Sequence, residues 1–444
     1  MINIRAILRR PDIRAFAAEG WSVAWPMTLI MFFEFLIGLT DIYVAGRVGK
    51  EVQAAYGFVI QLYFVFIIVG NALSMGAVSV VSRLFTSGNR QGLGQSVYST
   101  IMTTVGVGLV LGVAGVLLTP TVVHLVNIPA PLKPFAATLG RIYAAGVVFH
   151  YVLINTNAIL RACKRIKASL GTMAIVCCCN ILLNFFIVFE TSAGFAGIAL
   201  STAIAVCVGS VLNIRHVQPL MADARRYSAS TMKRIVTIAW PMGLLQALWQ
   251  LNSMAIFLIL STLPKHSVET LAALTAGLRI ESAIFLPAMA FNMANAVIVG
   301  NLLGENRKED AFRGGLITAL MGVTIVTFLT VLVVLNARWI APFLSKNSIV
   351  ITESVTYIYI VMMCEPFTAL WMALGGGLNG AGDTRGVMQI VGLVVWLVRV
   401  PLIYVLVVLL GFGAVSVWWS MNISQVLMAL FVTRRYWQKE WLNQ

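Results

Sequence analysis

Along the chain, runs of about 20 apolar residues alternate with short polar stretches, from Trp21 to Val432. A helix of that length crosses roughly 30 Å of hydrocarbon. Twelve such helices are predicted, over 24–45, 54–81, 96–119, 136–160, 170–190, 195–215, 236–261, 270–300, 314–336, 353–376, 388–410 and 414–433. The short alternating segments of a membrane β-barrel are absent. The chain therefore reads as an all-α polytopic membrane protein. Two carboxylates interrupt the first run: in FFEFLIGLTDIYVAG (32–46), Glu34 and Asp41 stand seven residues apart. A carboxylate at membrane depth is costly, so each marks a candidate functional site.

Composition agrees with this pattern. Of 444 residues, 59% are hydrophobic and only 11% charged, far from a soluble domain. The formal charge of +15 forms no single basic face, which argues against a nucleic-acid partner. The cations sit between the apolar runs, where they meet anionic lipid headgroups. The basic start MINIRAILRRPDIR resembles that of a signal peptide. The run after it is too long and lacks a small-residue cleavage site, so a retained first helix is expected. The six cysteines (Cys163, Cys177, Cys178, Cys179, Cys207 and Cys364) show no CxxC spacing and read as small buried hydrophobes. His124, His150, His216 and His266 are scattered, with no HExxH, so neither a metal centre nor an intramembrane enzyme is expected.

With the N-terminus inside, the inner segments hold about 22 Lys and Arg and the outer loops about 6; Arg141, Arg279 and Arg399 fall within or near helices. That imbalance places both termini in the cytoplasm of a multi-pass inner (plasma) membrane protein. Four pairs of segments recur in order: AWPM at 24–27 and 239–242, SGNRQ and GENRK, LRACKRIK and LNGAGDTR, GFAGIAL and GFGAVSV. One offset of about 215 to 218 residues relates them all. The even number of helices between copies gives both halves one topology, related by an axis along the membrane normal. The expected organisation is an N-lobe over 1–215, a cytoplasmic linker over 216–235 and a C-lobe over 236–444. Two six-helix lobes of this kind flank a central cleft and rock about it, so a transporter is the leading class.

Pro26 with DIYVAGRVG (41–49), AAYG (54–57), Gly88–Asn89, the long segment 277–306 and LNGAGDT (378–384) follow one another along the chain. In this order they resemble the motifs of the MATE (multidrug and toxic compound extrusion) family of the MOP flippase superfamily. The resemblance covers nearly the whole chain. It implies export of small amphipathic, cationic organic compounds against inward H⁺ or Na⁺, by a monomer without a cofactor. It also implies a coupling ion at Asp41, with Asn180 and Asn184 from the fifth helix and Thr202 from the sixth, the same four being a possible Na⁺ site. Asn184 departs from the Asp of DinF-like members, a subfamily the first-helix aspartate suggests. NorM-like members carry further acids at positions that here hold Trp249 and Thr368, although Glu365 stands one turn from Thr368.

Beside the resemblance, the residues have readings of their own. Glu34 and Asp41 are two turns apart on one helix face, about 10.5 Å along the axis. Asp41 either exchanges an ion or stays fixed by hydrogen bonds to Asn180 or Asn184. The two asparagines, four residues apart, either face an ion or bond neighbouring helices. Glu34 either lines the cleft, attracting cations, or pairs with a polar neighbour. Glu281, two residues from Arg279, and Glu365, beside Pro366 at an expected bend, are further candidate cleft acids. Tyr143, Tyr151, Trp249 and Trp371 either stack on organic cations or pack. Pro26 is the candidate hinge, since it precedes Asp41 on one helix.

At the repeat offset Asp41 falls against Ile256, and Asn180 and Asn184 fall near Leu397–Val398 and Pro401–Leu402. The polar set thus belongs to the first copy, which places coupling in the N-lobe and leaves the more apolar C-lobe to supply cleft surface. The rival reading, a flippase for a lipid-linked saccharide or other amphipathic lipid, calls for cationic residues toward the lipid headgroup. Intramembrane Lys is absent and Arg sparse. A channel is disfavoured because the acids form no repeated ring.

Overall fold

The computed structural model describes residues 10–126, 128–263, 267–344 and 347–443; His266 and the first nine residues lie outside that set. Among the described residues, twelve helices are long and apolar enough to cross a membrane. We number them α1 (Arg10–Val48), α2 (Lys50–Thr86), α3 (Arg90–Leu125), α4 (Lys133–Ala162), α5 (Ile166–Glu190) and α6 (Ala196–Val217). The second half supplies α7 (Ala229–Ser261), α8 (Ser267–Gly304), α9 (Lys308–Leu335), α10 (Ser348–Gly380), α11 (Thr384–Leu409) and α12 (Ala414–Trp437). A short helix, Ala337–Leu344, follows α9 within a stretch expected to be loop.

Several helices outrun their predicted limits. The 39 residues of α1 extend about 58 Å, twice the hydrocarbon thickness. Hydropathy registers only the part at membrane depth. The helix continues through RPDIRAFAAEG because Ala, Arg and Glu are good helix formers in water.

The chain divides into two compact units. One is Pro26–Gly243; the other joins the chain up to Trp25 with Leu244–Gln444. Both boundaries fall inside unbroken helices, at the two AWPM motifs. The first part of α1 belongs to the C-terminal unit, where Gly20 lies against Thr318 and Gly314 against Phe16. The first part of α7 belongs to the N-terminal unit, where Ile235 and Ala239 pack with Ala72 and Val80 of α2. Each unit thus contains the beginning of the helix that mainly serves the other.

The duplication extends to backbone detail. Left-handed residues terminate corresponding helices: Gly88 and Asn306, Lys164 and Gly382, Gly194 and Gly411, at φ between 51° and 91°. Their separations of 217 or 218 match the sequence offset. In each half the connection after the fourth helix is tied to the end of the sixth, but by different chemistry. Arg165 Nη1 donates to the His216 carbonyl oxygen at 3.2 Å. Its counterpart Asp383 accepts Arg435 Nε and Nη2 at 2.5 and 2.8 Å, a bidentate pair.

Prolines leave different marks. In α10 a 3₁₀ turn, Met362–Cys364, comes just before Pro366; Pro366 has no N–H to continue the α-helical ladder. In α11, π-helical turns Val394–Arg399 and Val405–Leu409 flank the stretch containing Pro401. Gly376 and Gly380 face the backbone carbonyls of Asn292 and Ala296 so closely that no side chain fits at either glycine; small residues four apart let α8 and α10 approach. Of the cysteines, Cys163, Cys177 and Cys364 are buried, whereas Cys178 is exposed and Cys179 and Cys207 are half-buried. Consecutive helical residues point about 100° apart, so 177–179 cannot share a buried face.

Candidate functional site

Asp41 is 2% exposed and lies within the N-terminal unit. Three other helices close on it. Asn184 Nδ2 of α5 donates to Oδ1 at 2.7 Å, and Asn180 Nδ2, one turn earlier, donates to the same oxygen at 3.3 Å. Thr202 Oγ1 of α6 donates to Oδ2 at 2.9 Å, and the Tyr143 hydroxyl of α4 does so at 3.3 Å. The partners also join one another: Asn180 Nδ2 reaches Thr202 Oγ1 at 3.0 Å, and Asn184 Nδ2 reaches Asn180 Oδ1 at 3.3 Å.

The geometry follows from helical spacing. Positions 180 and 184 are one turn apart and share a face of α5. Asn180 and Asn184 are both fully buried, so their amides must find partners inside the protein. Asn184 Oδ1 has none, which leaves one unused acceptor beside the carboxylate. Asn180, Asn184, Thr202 and Tyr143 all reach Asp41 as neutral donors, an arrangement that suits an ionised, acceptor-only carboxyl group.

The structure therefore brings Asp41, Asn180, Asn184 and Thr202 together and adds Tyr143, an aromatic residue without an assigned contact in the sequence. Beside Tyr143 stand Tyr56 and Tyr63, with ring centroids at 6.4 and 5.1 Å, and Tyr56 of α2 is itself within interaction range of Asp41. The Tyr63 hydroxyl bonds His150 Nδ1 at 2.9 Å. A tyrosine in an apolar helix has a hydroxyl to satisfy, and that was the available signal.

Glu34 is not in the cluster. It is exposed and lines a cavity that Thr202 also lines. Arg161 of α4 lies within electrostatic range of it. Pro26 marks the unit boundary within α1.

Glu281 and Glu365 belong to the C-terminal unit and sit in a second polar cluster. The Tyr357 hydroxyl donates to Glu281 Oε2 at 2.7 Å. Arg399, 1% exposed, and Glu365, 2% exposed, are both within electrostatic range of Glu281. Arg399 Nε donates to Ser424 Oγ at 2.6 Å, and the guanidinium lies 5.2 Å from the Trp249 ring centroid. Trp249 thus receives an internal cation, while Trp371 Nε1 donates to Gln425 Oε1 at 2.9 Å.

The lobe expected to be the more apolar one thus has a buried polar cluster of its own. Glu281, Tyr357, Glu365 and Arg399 occupy positions unrelated by the repeat to Asp41 and its partners, so comparing the halves position by position misses them. The two clusters also differ electrically. The C-terminal one contains Arg399; among the described residues, the side chains that donate to Asp41 include no cation.

Comparison with known proteins gives the same architecture. The family model described as MatE matches residues 26–186 and 241–405. A "Probable multidrug resistance protein NorM" of Pasteurella multocida is 23% identical, over 96% of this chain and 95% of its own. An "Uncharacterized transporter YisQ" of Bacillus subtilis is 19% identical, over 98% and 97%. Among solved structures, a MOP superfamily transporter from Pyrococcus furiosus aligns with a TM-score of 0.89 at 16% identity, covering 97% of each chain. The Vibrio cholerae MATE transporter VcmN in its bent form aligns with a TM-score of 0.89 at 18% identity, covering 97% of this chain and 98% of its own.

Proposed function

The chain belongs to the MatE family, and on that premise we propose that it is a secondary active exporter of small amphipathic, cationic organic compounds. Transport proceeds by alternating access, as a monomer, in exchange for inward H⁺ or Na⁺ bound at Asp41. The relatives named as multidrug resistance proteins support the substrate class. The excess of Lys and Arg on alternate connections supports cytoplasmic termini.

The observation that carries the coupling role is the charge balance around Asp41. A buried carboxylate held by the neutral donors Asn180, Asn184, Thr202 and Tyr143 carries a charge at membrane depth that they leave uncompensated. One monovalent cation neutralises it. A proton turns Asp41 from an acceptor into a donor, and the unused Asn184 Oδ1 is the acceptor at hand. For Na⁺, the Asp41 carboxylate, the two asparagine amide oxygens and the Thr202 hydroxyl are hard oxygen ligands. Either ion remakes the bonds holding α1, α4, α5 and α6 together, so ion binding alters the unit that has to move.

The test uses proteoliposomes, a fluorescent organic cation and separately imposed pH and Na⁺ gradients. The wild-type protein accumulates the cation under at least one gradient, and Asp41→Asn, still folded, does not. Undiminished gradient-driven uptake by Asp41→Asn refutes the coupling role.

A further inference from the structure

The Asp41 cluster leaves the second carboxylate of α1 without a task. Glu34 lines a cavity of about 300 Å³ within the N-terminal unit. The polar lining comprises Glu34, Asn71, His150, Asn157 and Thr202; the remainder is apolar. Thr202 belongs to both places, since its hydroxyl donates to Asp41 Oδ2 at 2.9 Å. One side chain therefore stands between the cavity and the buried carboxylate. His150 gives a second connection, through Tyr63 to the ring of Tyr143. Glu34 is exposed whereas Asp41 is buried, so the cavity joins an accessible acid to an inaccessible one.

The charged and titratable groups facing this space are few. Those lining it are Glu34 from α1 and His150 from α4; Arg161 of α4 is not part of the lining but lies within electrostatic range of Glu34. The lining residues from α2, α5 and α6 are neutral. An acid at the accessible end concentrates cations locally. A nearby arginine limits how firmly they are held. Conduction needs that combination: binding strong enough to draw an ion in and weak enough to pass it on.

We propose that this cavity is the vestibule by which the coupling cation reaches Asp41, with Glu34 gathering the ion and Arg161 keeping its hold weak. The proposal rests on Asp41 as the coupling site. It assigns Glu34 to the ion rather than to the organic substrate.

The experiment measures uptake of a fluorescent organic cation in proteoliposomes while H⁺ or Na⁺ is varied at fixed substrate, and then substrate at saturating ion. Removing one unit charge about 10 Å from the site should raise the half-saturating ion concentration about five-fold in Glu34→Gln. The maximal rate and the substrate KM stay unchanged, and Glu34→Asp restores ion affinity in part. An unaltered ion dependence in Glu34→Gln, or a change confined to substrate KM, overturns the vestibule and leaves the Asp41 site standing. Gradient-driven uptake that survives Asp41→Asn overturns both.

Discussion

At the scale of single residues, the Asp41 cluster shows how two amides, a hydroxyl and a phenol can hold one carboxylate in an apolar surrounding. Tyr143 makes the longest of the four bonds to Oδ2 or Oδ1 together with Asn180, each at 3.3 Å. Tyr143→Phe removes that donor without changing the ring's packing against Tyr63. Losing a bond to a charged group costs about 1.5–3 kcal/mol, which here destabilises the ionised form. The variant is expected to bind H⁺ more readily and release it more slowly, and so to turn over several-fold more slowly in a pH-driven uptake assay at neutral internal pH. An unchanged rate would assign the hydroxyl a packing role. Asp41 itself was legible in the sequence because an acid in an apolar run is conspicuous. Tyr143 was not, because a tyrosine there is equally compatible with packing and only the fold shows where its hydroxyl points. Arg399 was likewise hidden. Its partners, Glu281, Ser424 and Trp249, lie on three different helices, and no sequence spacing brings them together.

At the scale of helices, the hydrophobic pattern identified all twelve spans because each must cross the same apolar thickness. It was silent where local backbone chemistry departs from that need: the 3₁₀ turn before Pro366, the π turns around Pro401, and the polar N-terminal extension of α1. The two AWPM motifs were legible as repeats, yet their meaning came from the fold. Each lies where a continuous helix passes from one compact unit to the other. We take Pro26 as the hinge of α1, since its missing hydrogen bond weakens the helix at that passage. A proline in a helix interior costs roughly 3 kcal/mol relative to alanine. Pro26→Ala is therefore expected to raise the thermal unfolding midpoint in detergent while lowering the uptake rate several-fold. A variant that is more stable and equally fast would remove the hinge from the mechanism.

For the whole molecule, duplication supplied two similar scaffolds that have been given different electrical contents. The N-terminal unit has a carboxylate with neutral partners and a cavity beside it; the C-terminal unit has acids accompanied by Arg399. The division was only half visible in the sequence. Aligning the halves showed what the second copy lacks at the Asp41 positions, but not what it carries elsewhere. If coupling belongs to the N-terminal unit, Glu365→Gln should keep the wild-type dependence of uptake on the driving ion, whatever it does to overall rate. A lost or shifted ion dependence in that variant would place coupling in the C-terminal cluster. The exchange itself is tested most directly in reverse, by loading proteoliposomes with the organic cation, diluting them, and recording the opposing H⁺ or Na⁺ movement with an ion-sensitive dye. The wild-type protein should drive one of these ions against the substrate flux, and Asp41→Asn should drive neither. Ion movement that persists in Asp41→Asn, or its absence for both ions in the wild type, would contradict antiport at Asp41.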